Sequence, residues 1–288
     1  VITSLKERYP LVKLFRLLGV KSSTYYDYKK RLLTKTDKYP QLRQHIIACF
    51  SDSFGSAGQR TLINMLANDR FNTTRFIARK IMKEEGLVSC QIPRHKYPKG
   101  GNESLISPNL LKRKFDVTQP NRWWCGDITY IWTHEGWCYL AAVMDLHTRR
   151  IVGYAMSKKP DSHLVNKAFN LAYATRGKPK NLVFHSDQGC QYSSHEFRDN
   201  LQHKGVQQSM SRRGNCWDNA PMERFFRSYK TENMPRLGYE KFDDAVKEVS
   251  EYIECYYNTK RPHTYNNGLT PVRAERQHEI PETIKIAV

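Results

Sequence analysis

The sequence lacks the marks of a membrane-spanning protein and of a disulfide-stabilised one. No run approaches the roughly 18 to 20 consecutive apolar residues that a transmembrane helix requires. The seven cysteines are odd in number and scattered, and none are in C-x-x-C spacing. Neither a disulfide framework nor a zinc site is therefore expected. These absences predict a protein of the reducing cytoplasm with no membrane partner.

Acidic residues are scarce relative to basic ones. The 288 residues include 47 Lys and Arg against 28 Asp and Glu, a formal net charge of +19. Such a charge attracts polyanions, and it predicts nucleic acid or an anionic membrane surface as the partner. Residues 1–120 hold 23 of the basic and 9 of the acidic residues, so the N-terminal part is predicted to hold DNA. A basic surface that only confers solubility is the alternative.

Two helical segments with helix-turn-helix outlines are predicted at the N-terminus. In residues 1–35 an apolar stripe ends at Gly19, which supplies a turn, and Ser22 or Ser23 then caps a second helix. Residues 36–90 repeat the outline with three helices. We expect both segments to bind DNA, the second as a separate domain.

The third helix of the second segment is predicted to be Arg75–Glu85, capped by residues 72–74 and ended by Gly86. Its buried stripe is expected to contain Phe76, Ile77, Ile81 and Met82. The DNA-binding residues predicted on its outer face recur at every fourth position: Arg75, Arg79 and Lys83. A cationic stripe opposite an apolar one suits a helix lying along phosphates, although an ordinary solvated face has the same pattern.

The sequence pattern changes from helical periodicity to strand-like runs after a basic linker predicted at residues 91–120. A second domain is predicted at 121–275, followed by a C-terminal tail at 276–288. Its pattern reads as three meandering strands, a helix, a strand, a helix, a strand and further helices. This order predicts an α/β fold of the ribonuclease H-like type, with a mixed five-stranded sheet and flanking helices, preceded by the α-helical DNA-binding region.

Three acidic residues occupy unusual positions in this predicted domain. Asp127 lies within an apolar, aromatic strand, where an ionised carboxylate is costly unless it is paired or binds a metal. Asp187 follows a short apolar strand, and Glu223 lies on a helix that Pro221 begins. In the predicted fold the first and fourth strands are neighbours and the helix crosses their ends, so the three carboxylates are expected to converge. Each acid alone also has a purely structural interpretation.

Converging carboxylates predict a site for hard divalent cations. Mg²⁺ prefers oxygen ligands, and two ions about 3.5 to 4 Å apart activate a nucleophile and stabilise a leaving oxygen together. We therefore expect two Mg²⁺ ions per active site, held by Asp127, Asp187 and Glu223 as both metal ligands and catalytic residues. Mn²⁺ is expected to substitute.

Spacing and surrounding motifs add a family resemblance over residues 120–275. Thirty-five residues separate Asp187 from Glu223. The motifs are WCGDITY at 124–130, HSDQGCQY at 185–192, SMSRRGNCWDNA at 209–220, ERFF at 223–226, YYN at 256–258 and RPH at 261–263. In this combination the sequence resembles the integrase-like DDE transposases of bacterial insertion sequences. It is similar to the second-frame product of the family whose transposase is made across two overlapping frames.

The resemblance implies a DNA transposase with a retroviral-integrase-type core. Such an enzyme binds the inverted-repeat ends of an element, cleaves 3′ ends with Mg²⁺ and transfers the freed strand into target DNA, through a circular intermediate. It further implies a homodimer or larger assembly on DNA and a first-frame partner or fusion. The expected location is the bacterial cytoplasm, associated with the nucleoid.

Basic residues near the three acids are expected to contact DNA. Arg227 and Lys230 follow Glu223 by four and seven positions, on one helical face. The resemblance supports Lys230, since a basic residue seven after the Glu is characteristic of the family. Arg212 and Arg213 precede Gly214 in a predicted loop near the site. A solvated helical face is the alternative for Arg227 and Lys230.

Two other functions remain open from the sequence alone. A hydrolytic nuclease of the same fold, such as a ribonuclease or junction resolvase, would use the same three acids. The long basic N-terminal region argues against it, because hydrolysis alone needs no specific binding of DNA ends. A DNA-binding regulator, or an inactive copy of the enzyme, is the non-catalytic alternative.

Overall fold

The computed structural model describes residues 2–33, 37–90, 107–212 and 215–279. The chain forms two compact units, residues 1–44 and 45–288. The helices and strands in the described ranges are α1 (Ile2–Leu5), α2 (Leu11–Leu17), α3 (Ser22–Leu33), α4 (Pro40–Asp52), α5 (Gln59–Asn68), α6 (Arg75–Glu84), β1 (Trp123–Thr133), β2 (Gly136–Asp145), β3 (Arg150–Ser157), α7 (Ser162–Thr175), β4 (Val183–Ser186), α8 (Cys190–Ser193), α9 (His195–His203), β5 (Gln207–Met210), α10 (Ala220–Glu232), α11 (Phe242–Glu251) and α12 (Pro271–Glu279). A 3₁₀ turn, Cys216–Asn219, precedes α10, and a π-helical stretch, Tyr252–Tyr257, continues α11.

The first unit is helical, as the sequence predicts. Gly19, at φ +62°, takes the left-handed conformation that joins α2 to α3. Leu14 and Tyr25 are buried between the helices, and the rings of Phe15 and Tyr25 lie 5.3 Å apart. A small apolar contact of this kind fixes the angle between two short helices.

Helix α6 confirms its predicted bounds to within one residue and the predicted burial of Ile81, with Ile77 and Met82 half-buried. The Thr74 hydroxyl accepts a hydrogen bond from the Ile77 amide at 3.3 Å, which caps the helix. Ala78 and Ile81 are buried, whereas Phe76 is 78% exposed, so its predicted burial was wrong. Two residues correspond to roughly 200° of rotation around an α-helix, so Phe76 points away from the face of Ala78.

The five strands form one mixed sheet in the order β3-β2-β1-β4-β5. Strands β1, β2 and β3 pair antiparallel, whereas β4 pairs parallel with β1 and β5 pairs parallel with β4. This arrangement confirms the ribonuclease H-like fold. Strand β1 is central because it pairs with β2 along most of its length and with β4 through Trp123, Trp124 and Cys125.

Both faces of the sheet are covered by aromatic-rich helices. On one face Trp124 and Phe184 pack in a buried cluster with Phe169 of α7 and Phe197 of α9. On the other face lie α10 and α11, where the ring of Phe225 contacts that of Tyr257 at 4.8 Å. Successive side chains of a strand alternate between faces, so β1 contributes to both layers.

Contacts also connect the helices before the linker with the C-terminal segment. The Asn68 side-chain amide donates to the Gly268 carbonyl at 3.2 Å, and Lys260 pairs with Asp52 at 2.9 Å. Helix α12 crosses residue 276, where we place the start of the tail; the domain boundaries remain predictions. Most of the predicted linker, residues 91–106, lies outside the described residues. Within the described ranges, no helix has the length and hydropathy needed to cross a membrane.

Candidate active site

The register of two parallel strands places Asp127 beside Asp187. Cys125 of β1 pairs with His185 of β4, and each aspartate lies two residues further along its strand direction. Adjacent strands lie about 4.8 Å apart, so equivalent positions just beyond this pair are close. Asp127 lies two residues from Cys125 and three from Trp124, which places it on the face opposite the Trp124 cluster. The first half of β1 and the carboxyl end of β4 thus bring the two predicted acids together.

Two hydrogen bonds attach the start of α10 to the same two strands. The Asn219 side-chain amide donates to the carbonyl of Gly126 in β1 at 3.3 Å. The His185 ring of β4 donates through Nε2 to the Asp218 carbonyl at 3.0 Å. Both bonds are buried, and each anchors the turn that leads into the helix carrying Glu223. The third acid is therefore positioned from β1 and β4 themselves.

His185 is held as a neutral ring. Its Nδ1 lies 2.8 Å from the Ser209 hydroxyl, and burial lowers the pKa of the imidazole to about 4. Since Nε2 donates to a carbonyl, Nδ1 accepts from the Ser209 hydroxyl. The ring positions the helix and does not exchange protons near neutral pH.

The pKa of Asp127 is affected by the negative charges of the other two acids. Burial raises its pKa well above the ordinary value, and the negative charges of Asp187 and, to a smaller extent, Glu223 raise it further. The Ile128 amide donates to Asp127 Oδ1 at 2.8 Å and opposes this shift, as does the positive charge of Lys230. The three acids predicted from the sequence thus share one electrostatic environment.

Asp187 lies at the opening of the site. Its surface is exposed to solvent, yet surrounding protein desolvates the carboxyl and raises its pKa. The Gly189 amide donates to Asp187 Oδ1 at 3.0 Å and moderates this shift. The solvent-facing position leaves the Asp187 carboxyl accessible from outside, while burial by the surrounding protein accounts for its raised pKa.

The carboxylate oxygens of Asp127 and Asp187 are suitable ligands for a divalent cation, but the described side chains do not form a complete metal site. Among the described residues no group of three or more His, Cys, Asp or Glu side chains lies close enough to form a metal site. The crowded carboxylates of Asp127 and Asp187 supply hard oxygens whose repulsion a cation would relieve. Buried Asn219 Oδ1 has no hydrogen-bond partner in the described ranges and adds an acceptor near β1. Glu223 would have to approach the pair to complete a metal site.

The basic residues predicted on α10 have different surroundings. Lys230 is half-buried; burial lowers its pKa, and the negative charge of Asp127 raises it. Arg227 is exposed on the helix surface. Of the two predicted DNA contacts, Lys230 is therefore the one that lies within the electrostatic reach of the acids.

Asp218 is a site residue that the sequence reasoning missed. Its side chain is fully buried and binds Arg113 Nε at 2.7 Å, Arg212 Nε at 3.0 Å and the Asn109 amide at 2.9 Å. The Arg212 hydrogen bonds, followed by those of Arg113, hold the pKa of Asp218 well below its usual range against the opposing effect of burial. We call these four residues the Asp218 clamp. It attaches the end of the linker to the turn that precedes α10.

The remaining predicted DNA contacts lie on the surface or outside the described residues. Arg75, Arg79 and Lys83 are exposed on α6. Arg212 is part of the Asp218 clamp, although 61% of its side chain is accessible. Arg213 lies outside the described residues. The role of each in binding DNA stays a prediction.

Comparison with known proteins agrees with this geometry. The family description "Integrase core domain" matches residues 117–216, and a second model of that description matches residues 204–271. The transposase of insertion sequence element IS904 from Lactococcus lactis is 38% identical over 237 residues, covering 82% of this chain and 93% of that protein. Transposase InsF of IS3A from Escherichia coli is 33% identical over 270 residues, covering 91% and 93%.

A solved structure with a related fold is the simian T-cell lymphotropic virus intasome bound to the PP2A regulatory subunit B56 gamma. It is 20% identical to this chain, with a TM-score of 0.46, and the match covers 81% of this chain and 75% of that one.

Proposed function

Because the chain belongs to the insertion-sequence transposases with an integrase core, which are DDE-type nucleases and transesterases, we propose that it binds the inverted-repeat ends of an element and catalyses Mg²⁺-dependent 3′-end cleavage and strand transfer. The observation that carries the proposal is the placement of Asp127 and Asp187 at matched positions, each two residues beyond the Cys125–His185 pair of β1 and β4, with the Glu223 helix attached to both strands. Asp127, Asp187 and Glu223 are the proposed catalytic residues and metal ligands.

The residues of the chain have separate tasks in this mechanism. Asp127 and Asp187 present oxygens whose orientation the amides of Ile128 and Gly189 fix. Asp127, Asp187 and Glu223 would hold two Mg²⁺ ions, which would supply activation of the attacking hydroxyl and stabilisation of the leaving oxygen; Mn²⁺ is expected to substitute. Lys230, in the field of Asp127, is placed to attract a DNA phosphate to the site. No covalent protein intermediate is needed in this scheme, because water and then the freed 3′-OH serve as nucleophiles.

DNA is the proposed partner throughout. Arg75, Arg79 and Lys83 of α6, with Arg212, Arg213 and Arg227, are proposed to hold the transposon ends and the target. Two ends must meet for strand transfer, so a homodimer or larger assembly on DNA is proposed. A first-frame partner or fusion, and association with the bacterial nucleoid, are part of the same proposal.

Product analysis separates this function from simple cleavage. The purified chain is incubated with labelled terminal-repeat DNA, Mg²⁺ and an unlabelled acceptor plasmid. We expect 3′-nicked ends and labelled strands joined to new DNA. Scrambled-end DNA serves as the control. Hydrolysis of both DNAs at equal rates, with no joined product, would identify a nuclease of the same fold and refute the proposal.

A further inference from the structure

Helix α6 presents an aromatic ring in the middle of its cationic face. Phe76 is the second residue of the helix and is 78% exposed. At about 100° of rotation per residue, Lys83 and Lys80 lie on either side of it, and Arg79 lies beyond Lys83. Ala78 and Ile81 on the opposite face are buried. The helix thus uses its core-facing side for packing and keeps Phe76 away from it.

An exposed aromatic ring among Lys and Arg side chains suits a DNA base edge with an apolar group better than it suits a phosphate alone. Phosphates are bound by Arg and Lys and gain nothing from an aromatic ring. The major groove of DNA carries one apolar group, the 5-methyl of thymine, and a Phe side chain is among its recognised partners. The first residues of the second helix in a helix-turn-helix pair are the ones that reach base edges. Phe76 is the second residue of α6, which follows α5 after the connection 69–74.

We propose that Phe76 reads a thymine methyl in the major groove of the transposon end, while Arg75, Arg79 and Lys83 contact the flanking phosphates. This inference rests on the proposed binding of inverted-repeat ends and adds a residue that determines specificity. Within the described ranges Phe76 is 78% exposed, so its truncation should not perturb the fold. The alternative is that a second protein, and not DNA, contacts the Phe76 ring; replacing thymine by deoxyuridine distinguishes the two.

The test removes the methyl group from the DNA and the ring from the protein. Affinity is measured by fluorescence anisotropy for a terminal-repeat duplex and for duplexes in which each thymine in turn is replaced by deoxyuridine. The wild-type chain should lose roughly fourfold in affinity at one or two positions, the factor expected for burying a methyl-sized group. Phe76→Ala should bind the unmodified duplex more weakly by a similar factor and be insensitive to deoxyuridine there.

Control variants assign the effect to the ring. Arg79→Ala should weaken binding to every duplex and lower the slope of log affinity against log salt by about 1, whereas Phe76→Ala should leave the slope unchanged. Leu237→Ala removes an apolar side chain that is 80% exposed outside α6 and should change neither quantity. All variants should keep the wild-type melting temperature.

The outcomes separate the two proposals. The proposed contact between Phe76 and thymine would be overturned if deoxyuridine did not weaken end-specific binding. It would also be overturned if deoxyuridine weakened binding equally in wild type and in Phe76→Ala. Either result would leave the proposed binding of transposon ends intact. That result would also favour a protein as the occupant of the ring. Equal affinity for terminal-repeat and scrambled DNA would overturn end recognition, and the inference with it.

Discussion

Replacing Gly126 by Ala should displace the strand that carries Asp127. A Cβ atom at this position would lie 2.4 Å from Phe184 Cζ and 3.3 Å from the adjacent ring carbons. Ordinary carbon contacts are about 3.5 to 4.0 Å, so strand and ring must separate by roughly 1 Å. Phe184 is fully buried, with the rings of Phe169 and Phe197 at 5.4 and 5.3 Å. The ring therefore cannot turn aside, and β1 has to move.

The magnitude follows from two opposing effects. Overpacking of a core costs about 1–3 kcal/mol, and this clash falls at the upper end. Ala in a strand recovers about 0.5–1 kcal/mol relative to Gly. The expected net loss is about 2 kcal/mol in the free energy of unfolding. Because Asp127 is the next residue, a misplacement approaching 1 Å should also lower the cleavage rate by up to about 100-fold.

Urea unfolding and cleavage of end DNA measure the two effects. Gly58→Ala is the matched control, because no atom of the described residues lies within 4 Å of its added Cβ. As Gly58 is the N-cap of α5, this variant should lose about 1 kcal/mol of stability and keep the wild-type cleavage rate. Phe184→Leu removes Cζ, so the double variant with Gly126→Ala should be more stable than the sum of the two single effects predicts. Wild-type stability and cleavage in Gly126→Ala would refute the assigned contact.

Two further predictions concern charges near the site. Asp218→Asn should lower the free energy of unfolding by about 1.5–3 kcal/mol, the usual worth of hydrogen bonds to a charged group. The deep burial of Asp218 favours the upper value, and the freedom of Arg113 and Arg212 to turn into solvent favours the lower. Since the folded pKa of Asp218 is depressed, this contribution is present above the ordinary carboxyl pKa and lost as pH falls below it; equal urea midpoints for variant and wild type at pH 7 would contradict it. Asp127→Asn should stabilise the metal-free chain at pH 7, because the raised pKa of Asp127 makes its ionisation destabilising as pH rises through that value. Thermal unfolding should show the gain shrinking as pH falls towards the ordinary carboxyl pKa and when Mg²⁺ is added, and a melting temperature below wild type at pH 7 would contradict the electrostatic account.

Sequence patterns predicted the fold because the elements of the catalytic core are strongly periodic and their order is distinctive. The central pairing of β1 with β4 follows from that order, and it places Asp127 beside Asp187. Local patterns also located Glu223 on a helix that begins near Pro221. The proximity of Asp127 and Asp187 was therefore accessible from the sequence, whereas the approach of Glu223 to this pair stays a prediction.

Other features depend on tertiary contacts that carry no local signal. The Asp218 clamp joins Arg113 to Asp218 across 105 positions of the chain, and nothing near either residue predicts that pairing. Phe76 was assigned to the core because an aromatic residue beside Ile77 resembles part of an apolar stripe. However, Phe76 lies on the side of the helix opposite Ala78 and Ile81, and its side chain is therefore exposed. Hydrophobicity predicts which residues can be buried, whereas the packing partner determines which ones are.

The most direct test of the proposed active site is the rate of 3′-end cleavage by Asp127→Asn, Asp187→Asn and Glu223→Gln, each assayed on terminal-repeat DNA with Mg²⁺ and with Mn²⁺. Binding of the same DNA in the absence of metal serves as the control for folding. Each variant should bind the ends yet cleave them more slowly than wild type by more than the roughly 10- to 100-fold cost of losing an outer-shell partner. Wild-type cleavage by any one of the three would contradict the assignment of that residue and of a three-carboxylate site.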